Sequence, residues 1–318
     1  MQYKEIRKDF LLLLKLYSMI NSQEIKELAK KIGFDLVGIS IATPTLRDLT
    51  SYKTWIKKKM HGDMGYMERV SPRENPGEIL QNAKSVICCA VNYNQTIPKA
   101  LTEYKIARYA FGKDYHKVMQ KKLKQLWQEI RRLAPEAKGK YFVDTGPILE
   151  RAFARQTQIG WIGKNTMLIS KNIGSYIFLG EIITDLELKP DSPATDHCGS
   201  CTACLDACPT KAFPEPGLLD SRKCISYWTI EHRGEFPEEI NTNGYLFGCD
   251  ICQEVCPWNR KAPTTKEAKF FPLPLPTLKK INSMNEKDFS EWFNGRPIKR
   301  AKIEGLKRNS AMLLKTPA

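Results

Sequence analysis

Eight of the ten cysteines fall into two sets whose spacing suits metal–sulfur chemistry. The first set is Cys198-x2-Cys201-x2-Cys204-x3-Cys208-Pro209. The second is Cys224, then Cys249-x2-Cys252-x3-Cys256-Pro257. The first run has the spacing of bacterial ferredoxins, in which three thiolates wrap one cubane and the fourth, followed by proline, reaches the neighbouring cluster. Eight thiolates are what two [4Fe–4S] clusters require. That geometry assigns Cys198, Cys201, Cys204 and Cys256 to the first cluster, and Cys208, Cys224, Cys249 and Cys252 to the second. Two zinc knuckles are the competing use. Structural zinc takes well-separated CxxC pairs, however, and an interlocked run fits iron–sulfur better. Cys88 and Cys89 sit in the apolar stretch 86–91 and are expected as buried core.

A single-electron conduit needs only the cysteine region, yet about 190 residues precede it. The electrons are therefore expected to reach something bound by that first part. No apolar run approaches the roughly 20 residues of a membrane span. The run Phe10-Leu11-Leu12-Leu13-Leu14 meets Lys15 and reads as part of an amphipathic helix, not a signal peptide, and Met19 is an alternative start. Ten cysteines without a secretion signal point to a reducing, cytoplasmic setting with metal-bound thiols. Fifty Lys and Arg against 35 Asp and Glu give a net charge of +15. The excess is local, +8 over residues 99–140 and +5 from Glu291 onward. Clustered cations suit a polyanionic partner.

Several stretches together resemble the epoxyqueuosine reductases, cobalamin-dependent iron–sulfur enzymes of queuosine tRNA maturation. They are Arg108-Tyr109-Ala110-Phe111-Gly112-Lys113-Asp114-Tyr115-His116, Val143-Asp144-Thr145-Gly146-Pro147, Gly160-Trp161-Ile162-Gly163-Lys164-Asn165-Thr166, both cysteine sets, and Leu219-Asp220-Ser221-Arg222-Lys223-Cys224-Ile225-Ser226-Tyr227. The resemblance runs in order from about Ser22 to Arg260. It implies an α/β (α+β), flavin-reductase-like cobalamin-binding domain over 1–188, holding the cofactor base-off. A ferredoxin-like double [4Fe–4S] domain follows over 189–260. The implied reaction removes the epoxide oxygen from epoxyqueuosine at the wobble position of tRNA, with two electrons and two protons consumed and water released. The implied partners are tRNAs with a GUN anticodon, for Tyr, His, Asn and Asp, and an external single-electron donor such as flavodoxin or ferredoxin. Two alternatives stand beside it. A corrinoid reductive dehalogenase of a small substrate is disfavoured by the basic charge and the missing export signal. A ferredoxin-type carrier is disfavoured by the large first domain.

Asp144 matches the family's proposed general acid. To hold a proton at neutral pH its carboxyl needs a raised pKa, which a dry pocket under the corrin could supply. Arg108, Lys164, Asn165, Tyr227, Cys249 and Asp250 are expected beside the cobalamin. Lys299, Arg300, Lys307 and Arg308 are expected to contact tRNA. His61, His116, His197 and His232 have no metal-ligand spacing among themselves and read as structural or surface residues.

The elements that must position these groups begin with a helix from Ser22, as N-cap, to about Lys31, stopped by Gly33. Strands follow at 36–39 and 86–91. Asp114 caps a long helix that Pro135 ends, with Val118, Leu123, Leu126, Trp127, Ile130 and Leu133 at helical spacing. A strand at 141–143 leads into Asp144. Residues 167–169 and 176–179, flanking Asn172-Ile173-Gly174, predict a hairpin. Residues 261–318 read as a proline-rich linker, Phe271-Pro272-Leu273-Pro274-Leu275-Pro276, and a short basic helical tail.

Overall fold

The computed structural model describes residues 20–97 and 103–315. The run at residues 10–14 and Lys99 lie outside the described residues.

Helix α1 (Ser22–Ile32) opens the fold. Its cap is Asn21, not Ser22: the Asn21 side chain accepts from the amides of Gln23 and Glu24, and Glu24 answers with a capping box. Ser22 lies inside the first turn, where its hydroxyl donates to the Lys189 carbonyl. Gly33 ends the helix at φ 97°, a left-handed position that glycine takes without steric cost. Strand β1 (Leu36–Ile41) follows, then helix α2 (Leu46–Lys57) and strand β2 (Ser85–Asn92). Strand β3 (Lys105–Ile106) is short. Helix α3 (Tyr115–Leu133) is capped by the Asp114 carboxylate as the sequence predicts, and buries Val118, Met119, Leu123, Leu126 and Ile130. Strand β4 (Gly139–Phe142), helix α4 (Glu150–Arg155), strands β5 (Trp161–Ile162), β6 (Leu168–Ile169) and β7 (Ile177–Thr184) complete the first part.

The main sheet runs β1-β2-β7-β4 and every pairing is antiparallel, so this part is α+β. β2 is buried throughout because both faces are covered. Side-chain alternation sends Cys89 into the core beneath α1 and α3, and Cys88 into the core beneath α4. Both thiols are fully buried, as expected. The expected hairpin does not form. β6 pairs with β5, while β7 enters the main sheet between β2 and β4; only a Ser170–Gly174 bridge joins their neighbourhood. The long apolar β7 finds more burial in the sheet than a two-residue partner offers.

Residues 197–259 form loops with one-turn helices at Ala203–Asp206 and Ile251–Glu254 and a π-turn at Tyr227–Glu231. Strand β8 (Tyr245–Phe247) pairs in parallel with β3. Helices α5 (Leu278–Ser283), α6 (Glu286–Phe293) and α7 (Lys302–Lys315) close the described chain. They are not a tail on a linker. Ile281, Phe289, Phe293, Ile298 and Leu306 share one apolar core with Ile106, Phe111 and Phe247. The proline stretch is fixed too: Tyr104 donates to the Pro276 carbonyl and Arg296 to that of Pro274.

Candidate active site

One open cavity of ≈ 440 Å³ lies where the first part meets the cysteine loops. Asp144, Glu150 and Asn165 line one wall, and Cys208, Cys224, Cys249 and Cys252 line another. Asp250 also faces it, and Tyr109, Tyr115, Leu168, Ile177 and Phe178 supply most of the apolar surface. Cys198, Cys201, Cys204 and Cys256 lie outside it, and Cys201 is exposed to solvent.

Asp144 stands just past the end of β4, at φ 58°. Such a backbone is unfavourable for a residue with a Cβ and persists only where neighbours impose it. Its amide donates to Glu150 Oε1 at 2.5 Å. Its carboxylate accepts from the Tyr115 hydroxyl at 2.7 Å and pairs with His116 Nε2 at 3.2 Å. His116 Nδ1 pairs with Asp114 Oδ1 at 2.7 Å. Both ring nitrogens thus face carboxylates, which both accept, so the imidazole is satisfied only as the cation. Burial opposes that charge, but the two carboxylates prevail and push His116 up to about 9. Burial likewise opposes the charge on Asp144, and the bonds from His116 and Tyr115 outweigh it and hold the carboxyl below its usual value. The expected raised pKa at Asp144 is therefore corrected: the proton of this pair resides on His116. Tyr115 is fixed by stacking on Phe178, with centroids 4.2 Å apart and planes 4° from parallel.

The thiols fit clusters. Cys204, Cys198, Cys201 and Cys256 lie near enough to perturb one another, and so do Cys208, Cys224, Cys249 and Cys252. Burial raises Cys249 to about 12 and Cys252 well above the usual thiol value, so a bound metal is what would hold these sulfurs as thiolates. N–H donors already point at two sulfurs: the Trp161 indole at Cys198 and the Ala212 amide at Cys208, 3.4 and 3.3 Å away. Bonds of this kind tune iron–sulfur sites.

Other expected residues are spread more widely. Asn165 lines the cavity and donates to the Cys252 carbonyl. Asp250 is buried, accepts from the Arg108 amide at 2.6 Å, and is pushed up to about 6, chiefly by burial. Three residues expected at the cofactor instead hold the scaffold. The Arg108 side chain turns away to the Gln95 carbonyl and the Tyr176 ring. Lys164 donates to the carbonyls of Gly199 and Cys201 and ties down the first cysteine loop. The Tyr227 hydroxyl donates to Asp63 at 2.6 Å. Arg308 is also corrected: its guanidinium donates to the carbonyls of Trp228, His232 and Gly234 and lies over Phe236, 4.0 Å from the centroid. Arg300 forms a two-pronged pair with Glu231 over the Tyr66 ring, and Lys299 is exposed. His116 is the residue the sequence reading missed; its signal was a histidine in the first turn of a helix capped by Asp114.

A family model described as epoxyqueuosine reductase QueG, DUF1730, matches residues 73–145, and one for a 4Fe-4S double cluster binding domain matches 197–259. The epoxyqueuosine reductase of Leadbetterella byssophila is 41% identical over 296 residues, 92% of this chain and 98% of that protein. A crystal structure of an epoxyqueuosine reductase with an epoxyqueuosine-modified tRNA-Tyr stem loop superposes with a TM-score of 0.84 at 32% identity, covering 92% of this chain and 80% of that one. A Bacillus subtilis epoxyqueuosine reductase, solved with its catalytic aspartate loop swung out of the active site, gives 0.83 at 30% identity with the same coverage.

Proposed function

The chain belongs to the epoxyqueuosine reductase family, and from that premise we propose that the cavity between Asp144 and the second cysteine group is where epoxyqueuosine is reduced. The enzyme is an oxidoreductase that converts epoxyqueuosine to queuosine in tRNA, with two [4Fe–4S] clusters and cobalamin. Two electrons and two protons enter, both C–O bonds of the epoxide break, an alkene forms and water leaves.

Cobalamin, when bound in this cavity, supplies a low-valent cobalt able to reduce the substrate. Tyr109, Leu168 and Ile177 offer it an apolar wall, and Asn165 lies among them as a polar partner. The cysteines lining the cavity would hold the cluster nearer the substrate, and those around exposed Cys201 the one nearer solvent. An external donor such as flavodoxin or ferredoxin would deliver electrons on that outer side. Asp144 lines the cavity with its Oδ2 held by Tyr115 and His116, and would relay the His116 proton to the alkoxide oxygen as the C–O bond opens. Lys299, Arg300 and Lys307 remain the candidates for tRNA phosphates, and the GUN-anticodon tRNAs the candidate substrates. A cytoplasmic location agrees with the described residues, where no helix is long and apolar enough to cross a membrane.

The observation that carries this reading is the pairing of a carboxylate–imidazolium dyad with four cluster-type thiols across one cavity. Its test is Asp144→Asn, reconstituted anaerobically with iron, sulfide and cobalamin and assayed by nucleoside mass spectrometry. The variant is expected to bind both kinds of cofactor and lose ~10²–10⁴-fold in turnover. Wild-type turnover would move the proton donor elsewhere.

A further inference from the structure

Behind Asp144 lies a second carboxyl that the reaction above does not use. Glu181 sits on β7, opposite Cys88 of β2 and Phe142 of β4, and is fully buried. Among the described residues neither of its oxygens meets a side-chain or backbone N–H or O–H. The polar group against it is the Glu150 carboxyl. Two carboxylates in contact inside a protein cannot both stay ionised. With one proton between them the contact becomes a strong, charge-assisted O–H···O bond.

We propose that Glu150 and Glu181 share one buried proton and together position Asp144: Glu181 donates to Glu150, and Glu150, fixed in this way, accepts the Asp144 amide. The geometry requires such a brace. Asp144 holds a left-handed backbone, and the Glu150 bond is the one its amide makes. Glu150 stands at the start of α4, six residues further on, in the cavity wall, where a second anchor is needed to keep its carboxyl on the Asp144 amide. The other charged or titratable neighbours leave that role to Glu181. Arg151 directs its guanidinium to the Thr166 carbonyl. Tyr115 and His116 bond the Asp144 side chain. Cys88 and Cys89 are buried thiols that burial keeps protonated. Burial and the neighbouring Glu150 charge raise Glu181 well above the usual value and place the proton there, while burial and the Asp144 carboxylate push Glu150 up to about 7, partly offset by its bond with Glu181. Glu150 and Glu181 are positioning residues: in this scheme neither touches substrate.

The inference rests on the reading of Asp144 as the proton donor only for its effect on turnover. Three variants of the cluster-loaded enzyme test it. Glu181→Leu fills the buried strand site with apolar volume, so it is expected to fold and melt like the wild type or higher. It nevertheless removes the donor to Glu150. The peptide carrying the Asp144 amide should then lose at least tenfold in hydrogen-exchange protection, and kcat should fall at least tenfold with tRNA affinity unchanged. Glu181→Gln keeps an N–H donor and should restore both. Glu150→Ala should lose both. Infrared spectra at pH 8 should show one protonated-carboxyl band that is absent from Glu181→Gln. A Glu181→Leu enzyme with wild-type protection and turnover, or a wild-type spectrum without that band, overturns the proposal. Full activity in Asp144→Asn, with band and protection behaving as expected, would instead remove Asp144 as the acid and leave the brace standing.

Discussion

At the scale of single residues, the site turns on His116, held between Asp114 and Asp144. Its folded pKa lies above the unfolded value of about 6.5. The stability it contributes is therefore fully present below that value and is lost as pH rises through about 9. Turnover should follow the same cation and fall off above pH 9. His116→Gln should erase that limb and lower turnover ~10²-fold or more, measured as kcat against pH on reconstituted enzyme. A limb that survived the substitution would belong to another group. Asp144 entered the sequence reading through the family resemblance of Val143-Asp144-Thr145-Gly146-Pro147. Its protonation state was not legible there. That state depends on a helix N-terminus 28 residues earlier, which the fold brings against the end of β4.

At the scale of elements, local chemistry was legible and partnership was not. The Asp114 cap, the buried strand around Cys88 and the glycine stop at Gly33 all follow from short-range rules. The hairpin expectation failed because turn residues between two apolar runs do not reveal that β7 has a better partner in β2. The same limit applies to the basic C-terminal segment, where charge alone suggested phosphate contacts. Within α7, Arg308 anchors residues 228–236 through three backbone carbonyls. Arg308→Ala should thus destabilise the fold by ~1–3 kcal/mol, the usual cost of orphaned buried partners. It should leave the salt dependence of tRNA binding unchanged. Lys299→Ala should do the reverse: stability within about 0.5 kcal/mol, and a log–log salt slope flatter by roughly 0.7–0.9 if one phosphate contact is lost. Equal slopes in both variants would place the tRNA surface elsewhere, the exposed lysines of α3 being next in line.

At the scale of the whole molecule, the cysteine segment is anchored at β8, where Leu246 and Phe247 enter the core shared with α5–α7, but has little apolar packing around its first cysteine group. The cluster there holds little more than Trp258 with Trp161 of β5 and Ile169 of β6 around Cys198 and Cys256. Anaerobic reconstitution should give about eight irons per chain, four per cubane. Stripping them should expose 197–259 to proteolysis while the β1-β2-β7-β4 sheet persists. Cys256→Ser should damage the cluster of Cys198, Cys201 and Cys204 despite lying 52 residues beyond Cys204 in the chain. The spacing made the ligand count legible. It could not show that one group borders the cavity and the other lies outside it, since that depends on where the first part docks. One further consequence follows from the β3–β8 pair and the core it shares with α5–α7. Residues 104–111 are synthesised early, but their partners are 245–247 and 278–306. During translation the main sheet can close as soon as β7 has emerged, whereas this second core must wait for the last helices. Through that interval the eight thiols precede the helices that complete this core. The order in which the ribosome releases the chain thus makes the core behind β3 and β8 the last to close, after every residue that lines the cavity has emerged.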